Sequence, residues 1–177
     1  YATRAAQVAL GLRVLGIEAG DRVGILSENR PEWLFADLGV QSLGAVSVGV
    51  YPTSSEPEVA QILRNAGTKV VIVEDEEQLD KTMAIRAELP QLTRIVVIDT
   101  RGIRSLGDPM TISLDQLENL GEAPSRDVID TWRDIVASLP GGDATAIVVY
   151  TSGVSGPPQG AMLSHANLIA AGEILGS

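Results

Sequence analysis

Between Tyr150 and Gly160 the chain reads Tyr-Thr-Ser-Gly-Val-Ser-Gly-Pro-Pro-Gln-Gly. Three hydroxyl residues, Thr151, Ser152 and Ser155, alternate with two glycines, Gly153 and Gly156, ahead of a proline pair. Glycines let a backbone turn tightly and bring its N–H groups close to a ligand. Successive N–H groups in such a turn form a concave anion site. The hydroxyls add hydrogen bonds to phosphate oxygens, and Thr151 is a candidate ligand for a magnesium ion. The chemistry this spacing suits is the gripping of a polyphosphate. An ordinary hairpin loop draws on the same residue types, so the residues alone leave both readings open.

Other loop chemistries fail on register. A Walker A loop needs a lysine followed by serine or threonine after its second glycine, and no segment supplies it. No G-x-G-x-x-G run is present either. The nucleophile elbow G-x-S-x-G begins at Gly153-Val154-Ser155, but Gly156-Pro157 breaks its last two positions. His165 is the only histidine, so a serine triad has no second histidine to draw on. Placed just after Ser164, it reads as a structural residue at a helix start.

Such a loop must be carried by a stiff element, and Thr145 to Tyr150 is a strongly apolar strand. Gly160 to Leu163 is a short return strand paired with it as a hairpin, and Ser164 caps a last helix running through Ile174. Upstream, a helix from Thr3 to Leu15 ends at Gly16. Arg22 to Leu26 is a strand, and Pro31 opens a helix whose faces are marked by Leu34 and Leu38 against Gln41-Ser42. Ala45 to Val50 is the second strand. Ser55 and Glu58 form a capping box for a helix with Ile62 and Leu63 in the core, ended by Gly67. Lys69 to Val73 is a third strand, and Arg94 to Ile98 a fourth. Between those two, Glu74 to Glu77 opens a helix whose dipole favours acidic residues, a solvated start rather than a metal site. From Asp99 to Ser125, breakers such as Gly102, Gly107, Pro109, Gly121 and Pro124 predict an irregular excursion. A helix from about Arg126 to Leu139 returns to the core. The alternation predicts an α/β fold: a layered parallel sheet flanked by helices, half of a doubly wound domain. Ligand loops in such sheets lie at the carboxyl ends of the strands.

The whole chain agrees. Its 177 residues are 45% hydrophobic and 20% charged, with aromatics scarce, so the core must be aliphatic. A net charge of -10 disfavours nucleic acid and anionic membranes as partners. The lack of cysteine excludes disulfides and thiolate chemistry. No segment approaches the roughly 20 apolar residues of a membrane span, and no signal segment opens the chain. A cytoplasmic location is the default. The abrupt ends, Tyr1 and Ser177, suggest an excerpt of a longer polypeptide.

The loop string T-S-G-V-S-G-P-P-Q-G resembles the phosphate loop of the adenylate-forming, AMP-binding enzymes, usually T-S-G-(S/T)-(S/T)-G-x-P-K-G. Ala161 to Leu168 resembles the segment next to that loop in the same enzymes. Gly20-Asp21-Arg22-Val23, Asn29-Arg30-Pro31-Glu32-Trp33, Leu43-Gly44-Ala45-Val46 and Ile62-Leu63-Arg64-Asn65-Ala66 agree in order and spacing. Val50-Tyr51-Pro52-Thr53-Ser54-Ser55 looks most like the long-chain fatty acyl-CoA synthetases. The resemblance covers nearly the whole chain, read as residues 1–177 of a partial N-terminal AMP-binding domain with the loop at 150–160.

The resemblance implies a fatty acid–CoA ligase: a carboxylate attacks the α-phosphate of ATP, and coenzyme A then displaces AMP from the acyl-adenylate. ATP, Mg²⁺ and coenzyme A are the implied cofactors and co-substrates, with a fatty acid or other carboxylate as substrate. It is compatible with a homodimer and a location peripheral to a membrane. By position, Thr151, Ser152 and Ser155 would give hydroxyls, and Gly153, Val154 and Gly156 backbone N–H groups, to the β- and γ-phosphates. Two positions depart. Val154 replaces a hydroxyl residue, and Gln159 replaces the family's lysine, removing a charge-assisted contact. The rest of the large domain and the small C-terminal domain are missing, so these residues alone are expected to be inactive. No catalytic residue is assigned. Two other readings stand: a catalytically silent ATP-binding protein of this fold, and an α/β hydrolase using Ser152 or Ser155. Trp33 reads as helix packing, and Tyr51-Pro52 as a turn or as the edge of an acyl pocket.

Overall fold

The computed structural model describes residues 1–103, 106–122, 127–139, 141–151 and 158–175. Its centre is a seven-stranded sheet in the order β5-β4-β3-β1-β2-β6-β7. The strands are β1 (Arg22–Leu26), β2 (Val46–Val50), β3 (Val70–Val73), β4 (Arg94–Val97), β5 (Thr111–Ser113), β6 (Thr145–Thr151) and β7 (Gln159–Ser164). β1 to β6 pair in parallel; among the described strands β7 alone runs antiparallel, against β6. The four expected parallel strands, the strongly apolar strand and the return strand are all present.

The helices are α1 (Ala2–Val14), α2 (Pro31–Gln41), α3 (Glu56–Ala66), α4 (Glu76–Ile85), α5 (Leu114–Gly121), α6 (Val128–Ala137) and α7 (His165–Leu175). They cover the sheet in two layers, because alternate strand residues face opposite sides. Val23, Ile25, Val70, Ile72 and Val96 point to one side, where they pack with Val8 and Leu12 of α1, Phe35 and Val40 of α2, and Leu117 of α5. Leu26, Val48, Val71, Val73 and Ile95 point to the other, against Val59 and Leu63 of α3 and Ile85 of α4. Strands buried on both faces read as continuous aliphatic runs, which is why Val70–Val73 is wholly apolar and wholly buried.

Two expectations require correction. The stretch from Asp99 to Ser125 is not simply an irregular excursion: it contains β5 and α5, and Leu114 and Leu117 are among the most buried side chains. Ser113 and Gln116 form a capping box at the start of α5, with Gln116 N–H donating to Ser113 Oγ at 3.1 Å. Gly121 is not a breaker there. It lies against the α1 backbone, and a Cβ would sit 2.1 Å from the carbonyl oxygen of Gln7. Likewise Leu34 and Leu38 do not mark the core face of α2; they are 41% and 42% exposed, while Phe35, Ala36, Gly39 and Val40 are buried. That helix is apolar on both sides, so periodicity could not choose between them.

Candidate functional site

β1 sends the chain through α2 to β2 on one side, whereas β3 sends it through α4 to β4 on the other. The carboxyl ends of the strands therefore open a crevice, the place where sheets of this kind bind ligands. A cleft of about 310 Å³ lies beside it, between α2 and the ends of β2 and β6. One wall is Trp33, from the first turn of α2; the facing wall is Ile147 and Val149 of β6. Gly49 forms part of the lining, and a Cβ there would sit 4.0 Å from Trp33 Cζ2, in contact with the indole. Trp33 thus packs against the core, as expected, and also lines the cleft.

The rims of the cleft are held by charges. After β1, Glu74 accepts from the Glu28 N–H at 2.7 Å, from Ser27 Oγ at 3.3 Å and from Arg30 Nη1 at 3.3 Å. Arg30 also donates to Glu32 at 2.9 Å, which holds the Glu32 carboxyl below its usual range. Glu74 is therefore no solvated member of the acidic run; Asp75 takes the helix-start role, accepting from Gln78 N–H. After β2, Lys81 Nζ donates to the carbonyls of Pro52 and Ser54 at 2.7 and 3.0 Å, fastening the Tyr51–Pro52 rim. Neither Glu74 nor Lys81 carries a local sequence signal, because the partners of both lie far along the chain.

The hairpin β6–β7 rises at the same edge. Thr151 pairs with Gln159 and Tyr150 with Gly160. Both Thr151 and Gln159 are exposed at the mouth of the hairpin. By strand alternation Thr151 shares the face of Ile147 and Val149, the cleft side. Ser152, Gly153, Val154, Ser155 and Gly156 lie outside the described residues. Among the described residues no group of three or more His, Cys, Asp or Glu stands ready to hold a metal ion. His165 opens α7, its N–H donating to the Ala144 carbonyl at 3.1 Å, and it lines a different hollow with Trp132 and Ile169. Asp21 serves a turn, accepting from Glu18 N–H at 3.0 Å and Lys69 Nζ at 2.8 Å.

Among the described residues no helix is long and apolar enough to cross a membrane. Comparison with known proteins is consistent along the chain. Its residues 1–175 match the family model described as AMP-binding enzyme. It is 31% identical over 168 residues to the long-chain-fatty-acid–CoA ligase ACSBG1 of Rattus norvegicus, covering 95% of this chain and 22% of that one. It is 33% identical over 175 residues to the long-chain-fatty-acid–CoA ligase heimdall of Drosophila melanogaster, covering 96% and 24%. The chain thus spans less than a quarter of the length of these relatives. Among solved structures it resembles the N-terminal domain of FACL13 from Mycobacterium tuberculosis, with a TM-score of 0.71, 31% identity, and 92% and 36% of the two chains covered. It also resembles the anthranilate CoA ligase AuaEII in complex with anthranoyl-AMP, with a TM-score of 0.80, 26% identity, and 99% and 31% covered. This parallel sheet, with its loop-bearing hairpin at the carboxyl edge, belongs to the AMP-binding enzyme family.

Proposed function

We propose that the chain is the phosphate-gripping part of an acid–thiol ligase that activates a fatty acid through an acyl-adenylate and passes the acyl group to coenzyme A. The observation that carries this is the β6–β7 hairpin. It sets Thr151 and Gln159 opposite each other at the carboxyl edge of the sheet, beside the cleft. The fit to ATP is good in kind. Hydroxyl and amide donors at the hairpin mouth suit an anion whose magnesium ion is held largely by its own phosphates. Bound Mg-ATP supplies an electrophilic phosphorus for the carboxylate, and pyrophosphate as leaving group. Thr151 donates its hydroxyl, or ligates the magnesium ion, from the cleft side of β6. Gln159 donates an amide N–H where the family's lysine would bring a charge. Ser152 and Ser155 through their hydroxyls, and Gly153, Val154 and Gly156 through their N–H groups, would complete the grip. These roles are electrostatic stabilisation and positioning of the leaving group. The cleft, walled by Trp33, Ile147 and Val149 and lined also by Ser27, Glu28 and Asn29, offers a substrate both apolar and polar contacts.

A second reading, the silent ATP-binding protein, is favoured by Gln159 and Val154. The hydrolase reading is weaker. His165 follows the far end of β7 from Gln159, about 20 Å away along six residues of strand. The 177 residues by themselves are proposed to be inactive. For the whole polypeptide, a cytoplasmic or membrane-peripheral location, a homodimer and no nucleic-acid partner are part of the proposal. The deciding experiment is carboxylate-dependent ATP–pyrophosphate exchange by the full polypeptide with short to long fatty acids. Exchange with long acids establishes adenylation. Mg-ATP binding without exchange for any acid would replace the ligase reading with the silent one.

A further inference from the structure

Tyr150 is the last residue of β6 before the Thr151–Gln159 pair, and it does more than fill core. Its side chain turns to the α3 side of the sheet, among Val59 and Leu63, and only 7% of its surface is exposed. Its ring crosses to the return strand and lies over its partner, Gly160. A Cβ at Gly160 would come within 3.0 Å of Tyr150 Cζ and 2.8 Å of Val148 Cγ1, so glycine is the residue that lets the ring lie there. From there the phenol donates its hydroxyl to Asn65 Oδ1 of α3 at 2.6 Å, a contact between residues 85 apart in sequence. Burial pushes the phenol pKa up, so the group remains a donor throughout the neutral range.

The placement matters because β7 is an edge strand, hydrogen-bonded among the described strands to β6 alone. Its far end is tied to the domain: His165 N–H donates to Ala144 O at 3.1 Å, and Ala166 N–H to Gly142 O at 2.8 Å. At the loop end, Tyr150 reaches across to α3. That same helix begins directly after the Tyr51–Pro52 rim of the cleft, with Ser55 N–H on Glu58 Oε2 at 2.8 Å. One rigid helix thus links the rim of the cleft to the base of the hairpin.

We propose that Tyr150 and Asn65 are positioning residues: the latched hydroxyl, with Gly160 beneath the ring, sets where Thr151 and Gln159 stand relative to the cleft. The ATP part of this inference rests on reading residues 150–160 as a phosphate loop; the mechanical part does not.

The test uses Tyr150→Phe, which keeps the ring over Gly160 and removes the hydroxyl, together with Asn65→Ala, the double variant and Asn65→Asp, all in the full polypeptide. Hydrogen exchange is followed at both ends of the β6–β7 ladder, and KM for Mg-ATP and for the carboxylate in pyrophosphate exchange. Each single loss should speed exchange around Thr151 and Gln159 while leaving the Thr145–Ser164 end unchanged. It should raise KM for Mg-ATP ~3- to 10-fold, the worth of one hydrogen bond, with the carboxylate KM unmoved. The double variant should be no worse than either single one. Asn65→Asp, still an acceptor, should behave as wild type. Unchanged exchange at the loop end overturns the proposal. So does faster exchange with an unaltered Mg-ATP KM, or a loss confined to melting temperature. If wild type exchanges no pyrophosphate with any acid, the ligase reading fails, and the hydrogen-exchange arm still decides whether the hydroxyl holds the hairpin.

Discussion

Across the mouth of the hairpin from Thr151, Gln159 offers a neutral amide where the family's usual loop has lysine. A neutral hydrogen bond to phosphate is worth roughly half a charge-assisted one, a difference of about 1 kcal/mol. Gln159→Lys in the full polypeptide should therefore lower KM for Mg-ATP about fivefold, with a steeper salt dependence, in the pyrophosphate-exchange assay. An unchanged or raised KM would mean that the amide is not directed at phosphate. Lys81 allows the complementary test on the rim. Its ammonium holds two carbonyls, Pro52 O and Ser54 O. Lys81→Met should cost about 1–2 kcal/mol in urea unfolding, and Lys81→Arg less, because a cation still reaches the oxygens. Of these residues, Thr151 and Gln159 were legible in sequence because their neighbours along the chain form the motif. Lys81, Glu74 and Asn65 were not, since each acts on a segment brought near only by folding.

Elements announced themselves where local chemistry was unambiguous. The Ser55–Glu58 pair starts α3, and Gly67, at φ of 65°, ends it. The wholly apolar β3 could hardly be anything but a central strand. The missed unit, β5 with α5, shows the opposite case. Three residues of strand carry no readable period, and a glycine that serves a helix contact has the same local signature as one that ends a helix. Gly11 of α1 and Gly121 of α5 let those helices meet backbone to backbone; a Cβ on either would lie 2.1 Å from a carbonyl oxygen of the opposite helix. This sets two effects in competition. Alanine gains up to about 1 kcal/mol over glycine in a helix, while forcing packed backbones apart costs about 1–3 kcal/mol or more. The steric term should win at so short a distance. Gly121→Ala should thus destabilise the chain by about 2 kcal/mol in urea unfolding. Gly172→Ala in α7, with nothing within 4 Å of the added methyl, should stabilise it by about 0.5–1 kcal/mol. Equal effects at the two sites would remove the close α1–α5 contact as the explanation.

For the whole molecule, strand–helix alternation was enough to predict a parallel sheet, because right-handed crossovers leave few other arrangements. It could not predict that β6 returns to pair with β2 after β5 has been laid on the far edge, since that choice rests on long-range contact alone. Ion pairs, one of them long-range and two local, govern the response to acid. Burial would raise the carboxyl of Asp21, but the Lys69 ammonium and the Glu18 N–H outweigh it and hold the pKa below its ordinary 3.8. The Arg30 guanidinium lowers Glu32 from 4.5, and Arg101 brings Asp99 down to about 2. Each carboxyl ionises more readily folded than unfolded, so its contribution is complete above the unfolded pKa and is lost as pH falls through the folded one. A net charge of -10 works the other way, because protonation relieves general repulsion. Salt screens that repulsion, and with it the exposed Asp99–Arg101 pair; the part-buried pairs of Asp21 and Glu32 are screened less. At roughly 0.15 M salt, melting temperature should therefore hold steady from neutral pH to about 5 and fall between about 4 and 2. Asp21→Asn should melt lower than wild type at about pH 7 and converge on it at a pH below the folded-state pKa of Asp21, where the wild-type carboxyl is protonated too. Parallel curves, with the same gap at both pH values, would show that Asp21 acts through packing rather than through its charge.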